Sequence, residues 1–366
     1  MEMIRGFGQQ RTGVWSILLA AILFGISTPL AKGLLGEISP QMLAGLFYLG
    51  SGIGLALLTL LFRGRAMSNE APLTRADVPW LSGAVIFGGI LAPVLLLTGL
   101  EQTAASNASL LLNLESVMTV ILAWIVFHEN AGRRFALGMG SILLGSVLVS
   151  WHGFALGGAF AGSFAIAGAC FCWGIDNNLT QKVSAGNPVE ISAVKGLVAG
   201  TVNLFLGIWF VRALPALVWV SAALVVGFFS YGLSIVLFVL ALRNLGTART
   251  GAYFSTTPFI GAILSVLILR EAVTFSLVAA SIAMAVGVWL LLTETHVHLH
   301  VHMPLVHVHR HTHDEHHHHS HGPHDPLGDT HVHMHEHSPL IHSHSHPPDI
   351  HHRHSHDRKT ESENSG

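Results

Sequence analysis

Between residues 13 and 293 the sequence is a succession of apolar runs about 20 residues long, separated by short polar stretches. A run of that length crosses a bilayer as an α-helix, and a soluble core does not need so many of them. Only 10% of the residues are charged, whereas a soluble domain is about 25% charged. The pattern predicts an all-α polytopic membrane protein with ten transmembrane helices. The predicted spans are 14–35, 41–62, 80–100, 105–127, 134–151, 158–180, 190–212, 216–241, 246–269 and 274–293.

The chain repeats itself, which predicts two related halves. SNASLLLNLESVMTVILAWIVFHE (106–129) aligns without gaps on ARTGAYFSTTPFIGAILSVLILRE (248–271), at an offset of 142 residues. Upstream, LFGISTPLAK (23–32) aligns on CWGIDNNLTQ (172–181) at an offset of 149 residues. Because five spans is an odd number, the second half should lie upside down relative to the first, as in the inverted repeats of secondary transporters.

The predicted organisation has four parts. They are a cytoplasmic N-terminal segment (1–12), two inverted five-helix repeats (13–152 and 153–293) and a histidine-rich tail (294–366). Lysine and arginine set the orientation, because they collect on the cytoplasmic side. With the N-terminus inside, the inner side carries Arg5, Arg11, Arg63, Arg65, Arg75, Arg133, Arg134, Lys182, Lys195, Arg243 and Arg249, and the outer side carries Lys32, Arg212 and Arg270. Ten spans then place both termini, and the tail, in the cytoplasm.

The tail holds every histidine of the chain except His128 and His152. Its polar composition predicts a disordered segment in the absence of metal, and its His-x-His spacing suits chelation of Zn, Ni or Co. The candidate ligands are His296, His298, His300, His302, His307, His309, His311, His313, His316, His317, His318, His319, His321, His331, His333, His335, His337, His342, His344 and His346. The alternatives are a storage, buffering or sensing tail on an ordinary metabolite carrier, and a pH-responsive polycation, since imidazole titrates near pH 6.5.

Several motifs, in this order and in two copies, resemble the EamA type of the drug/metabolite transporter superfamily. They are Phe24-Gly25 and Trp173-Gly174, ASNASLLLNLESV followed by AWIVFHE, and ALRNLGTART followed by TPFIGAILSVLILRE. The resemblance covers about residues 13–293 and implies a plasma-membrane carrier for small metabolites, usually an exporter or exchanger. It also implies no ATP-binding motif, and the chain has no G-x-x-x-x-G-K-[ST]. The chain departs from the family in Ser116, where a proline often follows the glutamate, and in its long tail.

Glu115 lies near the middle of the fourth predicted span, where a carboxylate costs about 2.5–3.5 kcal/mol on insertion scales. Such acids face cavities, pair with cations or carry protons, so Glu115 is a candidate for substrate binding or coupling. The alternative is a protonated acid that caps a polar group of a neighbouring helix. Thr257 occupies the equivalent position of the second copy, so the fold does not need a symmetric pair of acids.

Asp176, Asn177 and Asn178 form the most polar patch within a predicted span. They are poor helix formers that offer several hydrogen-bond donors and acceptors, and a helix break here would expose carbonyl groups to a cavity. The alternative is a helix that ends at Ile175, with the three residues in the cytoplasmic interface. Lys195 is predicted to extend toward the membrane surface and not to act as a counter-ion for Asp176.

The remaining polar candidates lie in the first, fourth and ninth spans. They are Ser27, Thr28, Ser109, Asn113, Ser255, Thr256 and Thr257. Pro29 and Pro258 remove helix hydrogen bonds and should kink their spans. The nearby hydroxyl groups then either contact the solute or satisfy the freed carbonyls.

These features together favour a secondary active transporter for a small solute. Its alternating-access cavity should be lined by the first, fourth, sixth and ninth spans. Glu115 and Asp176 are its proton- or ion-handling acids. The first rival is a divalent-cation carrier for Ni, Co or Zn, and the second is a membrane metal sensor or scaffold that transports nothing. No HExxH or GxSxG motif suggests an enzyme. A required cofactor and a nucleic-acid partner are not expected, and a homodimer is left open.

Overall fold

The computed structural model describes residues 2–61, 75–127, 133–154, 158–180, 183, 187–211, 214–245, 247–293, 296–302, 305–312, 330–337 and 340–346. Two compact units result: a helical body that ends at Leu292, and a second unit that contains the histidine-rich tail. The body is helical throughout its regular elements, as its apolar runs require, because a helix satisfies its own backbone hydrogen bonds in a bilayer.

The first half of the body, up to Phe154, contains eight α-helices and one π-helical segment, π1, among its described residues. In chain order they are α1 (Glu2–Gly25), α2 (Ser27–Leu34), α3 (Pro40–Leu61), α4 (Val78–Ala84), π1 (Val85–Leu91), α5 (Ala92–Gln102), α6 (Ala105–Leu111), α7 (Leu114–Phe127) and α8 (Arg133–Phe154). A short 3-10 turn, Arg75–Asp77, precedes α4.

The second half has a matching series, with a second π-helical segment, π2. Its described elements are α9 (Gly158–Thr180), α10 (Pro188–Val211), α11 (Leu217–Val226), π2 (Gly227–Leu233), α12 (Ser234–Leu245), α13 (Thr247–Phe254), α14 (Thr257–Leu269) and α15 (Phe275–Leu292). π2 follows π1 at an offset of 142 residues at both ends. This offset equals the one that aligns 106–129 on 248–271.

Eight helical stretches in the described part of the chain are long and apolar enough to cross a membrane. They are Thr12–Leu34, Pro40–Leu61, Val78–Gln102, Ala105–Leu122, Val189–Phe210, Leu217–Ala241, Thr250–Leu269 and Phe275–Leu292. At the fifth predicted span α8 carries a shorter apolar stretch, Ala136–Trp151, and α9 lies at the sixth. The chain is therefore a polytopic α-helical membrane protein.

Large apolar side chains cover the outside of the body, which a bilayer accommodates and water does not. Examples on five different helices are Leu57, Phe205, Ile263, Ile282 and Leu144, all of which are exposed. A soluble protein of this size rarely exposes so much contiguous apolar surface. The exposed surface of these helices is therefore lipid-facing.

The helices pack closely where glycine removes a side chain from the contact. α3 packs along α10, and α8 along α15. A Cβ atom at Gly45 in α3 would lie 2.5 Å from the backbone nitrogen of Leu204 in α10. One at Gly287 in α15 would lie 2.7 Å from the carbonyl oxygen of Gly138 in α8. Small residues let helix backbones approach and gain dispersion energy where lipid supplies no hydrophobic driving force.

The tail contains four strands, so the prediction that it is disordered along its whole length is wrong for these segments. β1 (His296–His302) pairs antiparallel with β4 (Leu340–His346), and β2 (Leu305–Thr312) pairs antiparallel with β3 (Thr330–His337). The cause is a period-two pattern, seen in HVHLHVH and VHVH, which alternates histidine with strand-favouring Val or Leu. The predicted ligands His313, His316, His317, His318, His319 and His321 lie outside the described residues.

Candidate functional site

Three spans of the body are interrupted around one cavity, whose volume is about 130 Å³. The first interruption is at Ile26, between α1 and α2; the others are at 112–113, between α6 and α7, and at 255–256, between α13 and α14. Pro29 and Pro258 each lie in the first turn of the helix that follows an interruption, where the missing N–H has no intrahelical partner to lose. The fourth span is interrupted without a proline.

The cavity brings together part of the predicted site. Its lining contains the predicted residues Ser27, Thr28, Ser109, Asn113, Glu115, Ser255, Thr257 and Pro258. It also contains Phe24, Gly25, Leu96, Leu112, Ser116, Trp173, Tyr231, Phe254 and Gly261, which were not predicted as site residues. The predicted residues that do not line it are Pro29, Asp176, Asn177, Asn178 and Thr256.

Glu115 supplies the carboxylate of this lining. Its Oε1 accepts a hydrogen bond of 2.9 Å from the side-chain nitrogen of Asn177, which also lies 3.1 Å from Thr119 Oγ1. Glu115 lies in the first turn of α7, where the helix dipole favours a negative charge. Asn177 therefore orients the carboxylate from outside the cavity wall.

Two hydroxyl groups of the lining have no hydrogen-bond partner within the described part of the protein. They are Ser109 Oγ and Thr257 Oγ1, on residues that are 1% and 4% exposed. An unpaired buried hydroxyl costs about 1–3 kcal/mol in folding, so such groups are unusual in a part of the fold that only serves stability. Both residues belong to the lining of the cavity.

The other two hydroxyl groups at the 255–256 interruption are used locally. Ser255 Oγ donates to the carbonyl of Ala252 at 2.8 Å, and Thr256 Oγ1 donates to the carbonyl of Tyr253 at 2.6 Å. These carbonyls lie at the end of α13, where the helix no longer supplies partners. For this pair the geometry favours the alternative that hydroxyl groups satisfy freed carbonyls.

Aromatic rings form one side of the cavity. The ring of Phe24 lies 5.5 Å from that of Tyr231 and 5.8 Å from that of Phe254, measured between centroids. Both pairs are tilted, by 58° and 56°, which is a favourable arrangement for aromatic quadrupoles. Trp173, also in the lining, is oriented by a hydrogen bond of 3.1 Å from Nε1 to the carbonyl of Gly88.

Asp176 and Lys195 form an ion pair behind this wall, which corrects the prediction that Lys195 extends to the membrane surface. Lys195 Nζ lies 2.6 Å from Asp176 Oδ1 and 2.7 Å from Oδ2, and Thr180 Oγ1 donates to Oδ1 at 2.8 Å. The side chains of the lysine and the aspartate are 16% and 9% exposed. Pairing neutralises both charges, so the lysine does not need to reach water.

The helix that carries Asp176 neither breaks at this residue nor ends at Ile175, because α9 continues to Thr180. Polar side chains stabilise the helix here instead of interrupting it. Asn178 Nδ2 donates to the carbonyl of Gly174 at 2.8 Å, one turn earlier, and to the carbonyl of Thr119 in α7 at 3.1 Å. The predicted polar patch therefore joins α9 to α7 and α10.

The segment π1 brings backbone carbonyls toward these groups. A π turn leaves carbonyl groups less well paired than in an α-helix, and such turns are frequent at functional sites. The carbonyl of Gly88 accepts from Tyr48 Oη at 2.7 Å as well as from Trp173, and that of Gly89 accepts from Asn203 Nδ2 at 3.0 Å. A Cβ atom at Gly88 would lie 1.9 Å from Asp176 Oδ2, so only glycine fits beside the ion pair.

At the other end of these spans, charged side chains bind the ends of neighbouring helices. Lys32 Nζ donates to the carbonyls of Leu100, Glu101 and Thr103, at and beyond the end of α5. Glu271 accepts from the backbone nitrogens of Ala105 at 2.7 Å and Ser106 at 2.9 Å, at the start of α6. Arg270, just before it, has a positive φ of 53° that turns the chain after α14. The contacts of Glu271 join the two predicted halves, whereas those of Lys32 lie within the first half.

Metal ligands are not clustered in the part of the body whose side chains the structure describes. No group of three or more His, Cys, Asp or Glu there is close enough to hold an ion. Cys170 and Cys172 are both buried free thiols. This result concerns the body, and the predicted ligands of the tail are outside it.

Tyr231 is the main site residue that sequence reasoning missed. Its signal is a phenol inside the apolar run of the eighth predicted span, since only three tyrosines occur in the chain. Tyr48 is likewise a phenol inside an apolar run, that of the second span, and its hydroxyl donates to the carbonyl of Gly88. Phe24 and Trp173 had entered only as parts of the family motifs, and the geometry places both on the cavity wall.

Comparisons with known proteins agree with these features. The model of the EamA-like transporter family matches residues 11–151 and 160–293. An uncharacterized transporter of Methanothermobacter thermautotrophicus is 34% identical over 276 residues, which cover 71% of this chain and 80% of that protein. The uncharacterized transporter YyaM of Bacillus subtilis is 24% identical over 267 residues, covering 69% and 85%.

A solved crystal structure shares the fold, with a TM-score of 0.54 and 17% identity over 77% of this chain and 95% of the other. The two family matches together span most of the helical body. They confirm the resemblance that the duplicated motifs indicated. The chain belongs to the EamA-like transporter family.

Proposed function

We propose that this membrane transporter is a secondary active carrier of a small solute, an exporter or exchanger of the plasma (inner) membrane. It has ten spans in two inverted five-helix repeats, with both termini in the cytoplasm. The common offset of π1 and π2 and the two family matches support the repeats. At 22 and 23 residues, α8 and α9 are long enough to serve as the fifth and sixth spans.

The observation that carries the proposal is the cavity at the three helix interruptions. Interrupted helices near the midplane, contributed by both repeats, are the usual place for a transported solute. Here the first repeat supplies α1, α2, α5, α6 and α7, and the second supplies α9, π2, α13 and α14. The solute contacts Glu115 and the unpaired hydroxyls of Ser109 and Thr257, and rocking of the repeats exposes it to each side in turn.

The test is counterflow in proteoliposomes, first with a panel of labelled amines, amino acids, organic acids and Ni²⁺ to find a transported solute. Glu115→Gln should then lower its exchange about tenfold or more, because the amide keeps the shape of the side chain but removes its charge. Glu190→Gln is the matched control, since Glu190 is an exposed carboxylate in the first turn of α10. Equal exchange by the two variants would remove Glu115 from the mechanism.

The tail is an accessory metal-binding segment in this proposal. Its strand register supports it, because His298 lies opposite His344 and His309 opposite His333, so that paired strands carry histidines at facing positions. A divalent-cation carrier is the second candidate, and the tail is the feature that favours it. The cavity favours it less, because its lining offers one carboxylate among hydroxyls and aromatic rings, whereas transition metals prefer imidazole and thiolate.

Deleting residues 296–366 separates these candidates. The truncated protein should remain folded and lose most of the Zn²⁺ or Ni²⁺ that the full chain binds at pH 7.5. Binding by the full chain should collapse below about pH 6, because protonated imidazole is not a ligand. Metabolite counterflow should not change on truncation. If metal is the solute, truncation should lower metal flux only at limiting metal, and a full chain that binds no metal would refute the role of the tail.

A further inference from the structure

The residues that line the cavity indicate which class of solute it binds. This inference rests on the proposed function, in which the cavity is the substrate site. Among the described residues of the lining, Glu115 is the one carboxylic acid, and no lysine, arginine or histidine accompanies it. The nearest acid behind the wall, Asp176, is already paired with Lys195. A solute that brings one positive charge would therefore leave the cavity neutral.

The aromatic part of the lining also suits a cation. Phe24, Tyr231 and Phe254 form a cluster of rings with centroids 5.5 and 5.8 Å apart, and Trp173 contributes a fourth ring to the lining. The face of an aromatic ring attracts an ammonium group, most strongly where water is excluded. The same rings accommodate the apolar part of an organic solute.

The free hydroxyls complete this environment. Ser109 Oγ and Thr257 Oγ1 are buried without partners among the described residues, and each can accept a hydrogen bond from an N–H group. An anion would need several donors, and the helix start beside Thr257 offers few. The backbone nitrogens of Phe259 and Ile260 already donate to the carbonyl of Thr256, and Pro258 has no N–H.

We propose that the transported solute is a small organic ammonium ion, a compact amine with an apolar group. Its ammonium group binds Glu115 and the hydroxyls of Ser109 and Thr257. Its apolar group lies against the rings of Phe24 and Tyr231. This assignment excludes free carboxylates and phosphates as preferred solutes, because the described lining offers them no cationic partner.

The experiment measures binding to the purified full-length protein by titration calorimetry, with probes of one shape and different charge. Benzylammonium is the cation, benzyl alcohol the neutral analogue and benzoate the anion, and phenylalanine and Ni²⁺ test the zwitterion and the metal. Benzylammonium should bind at least about tenfold more tightly than each of the others, since a desolvated charge-assisted contact exceeds a neutral one. Tighter binding of any other probe would overturn the assignment.

Two substitutions localise the effect. Glu115→Gln should weaken benzylammonium about tenfold and leave benzyl alcohol within about twofold. Phe24→Leu should weaken benzylammonium about threefold or more, and Phe205→Leu, which removes an exposed ring on α10, should change nothing. Thermal unfolding of each variant checks that it is folded.

The outcomes also separate this proposal from the proposed function. If phenylalanine or Ni²⁺ binds tightest and Glu115→Gln weakens it, the cavity is the substrate site but the solute is not an organic cation. If benzylammonium binds and neither cavity substitution weakens it, the assignment of the cation to this cavity is wrong. If counterflow of an identified solute also proceeds normally in Glu115→Gln, the proposed function of the cavity fails as well.

Discussion

Lys195→Met should lower the free energy of unfolding by about 3 kcal/mol, because removing one partner leaves a buried charge uncompensated. The carboxylate of Asp176 would keep only the hydroxyl of Thr180, at 2.8 Å, from its present described partners. Gly88 packs directly against Asp176 Oδ2. The measurement is thermal unfolding in detergent, where the variant should melt well below the wild type.

The matched control removes both charges. Asp176→Asn together with Lys195→Met should recover most of the loss, since a neutral pair of similar volume needs no compensation. The same double variant tests the prediction that Asp176 handles ions. If that prediction is right, the double variant is stable but does not transport; if the pair is purely structural, transport returns. A single Lys195→Met variant that melts like the wild type would show that the ion pair contributes nothing to stability.

The sequence could predict the positions of the helices because the bilayer imposes a length and an apolar composition on each span. It could not predict the partner of Asp176. Lys195 lies near the end of its own span, where a lysine ordinarily reaches water. Only the packing of both α9 and α10 against π1 brings a carboxylate, a glycine and the lysine together. A polar residue within a membrane span can be recognised from the sequence as a candidate functional residue. Whether its side chain has an ionic partner depends on the tertiary packing.

The candidate site was predictable in its polar half and not in its aromatic half. Glu115 and Thr257 stand out because an acid and a threonine-proline step interrupt apolar runs. Phe24 does not, because an aromatic residue in a membrane span is more often lipid-facing or core, and Tyr231 differs from such residues only by its phenol. The sequence also could not predict π1 and π2, because one extra residue in a helical turn does not change the hydrophobic pattern of a span that is apolar throughout. In the tail the period-two pattern of strands was present in the sequence. It was overlooked because the residue that alternates with valine is histidine, which suggested metal binding.

Gly50→Ala should destabilise the body by about 1–3 kcal/mol, as expected for an extra methyl group in a closely packed contact. A Cβ atom at Gly50 would lie 2.2 Å from the carbonyl oxygen of Leu224 and 3.0 Å from its Cα. The contact is reciprocal, because a Cβ at Gly227 would lie 2.2 Å from the carbonyl oxygen of Phe47. These are backbone atoms, so no side-chain rotation relieves the clash, and α3 must move away from α11 and π2.

That movement should reach the cavity, because π2 carries Tyr231. We therefore expect Gly50→Ala to lower both the unfolding temperature and the rate of solute exchange. Gly140→Ala is the control: Gly140 lies within α8, no described atom would lie within 4 Å of a Cβ placed there, and alanine favours a helix by about 1 kcal/mol over glycine. The two substitutions have the same chemistry and should have opposite effects on stability. Equal stability of the two variants would show that α3 and α11 are not in close contact through Gly50. The inference that this contact positions π2 against the cavity would then be wrong.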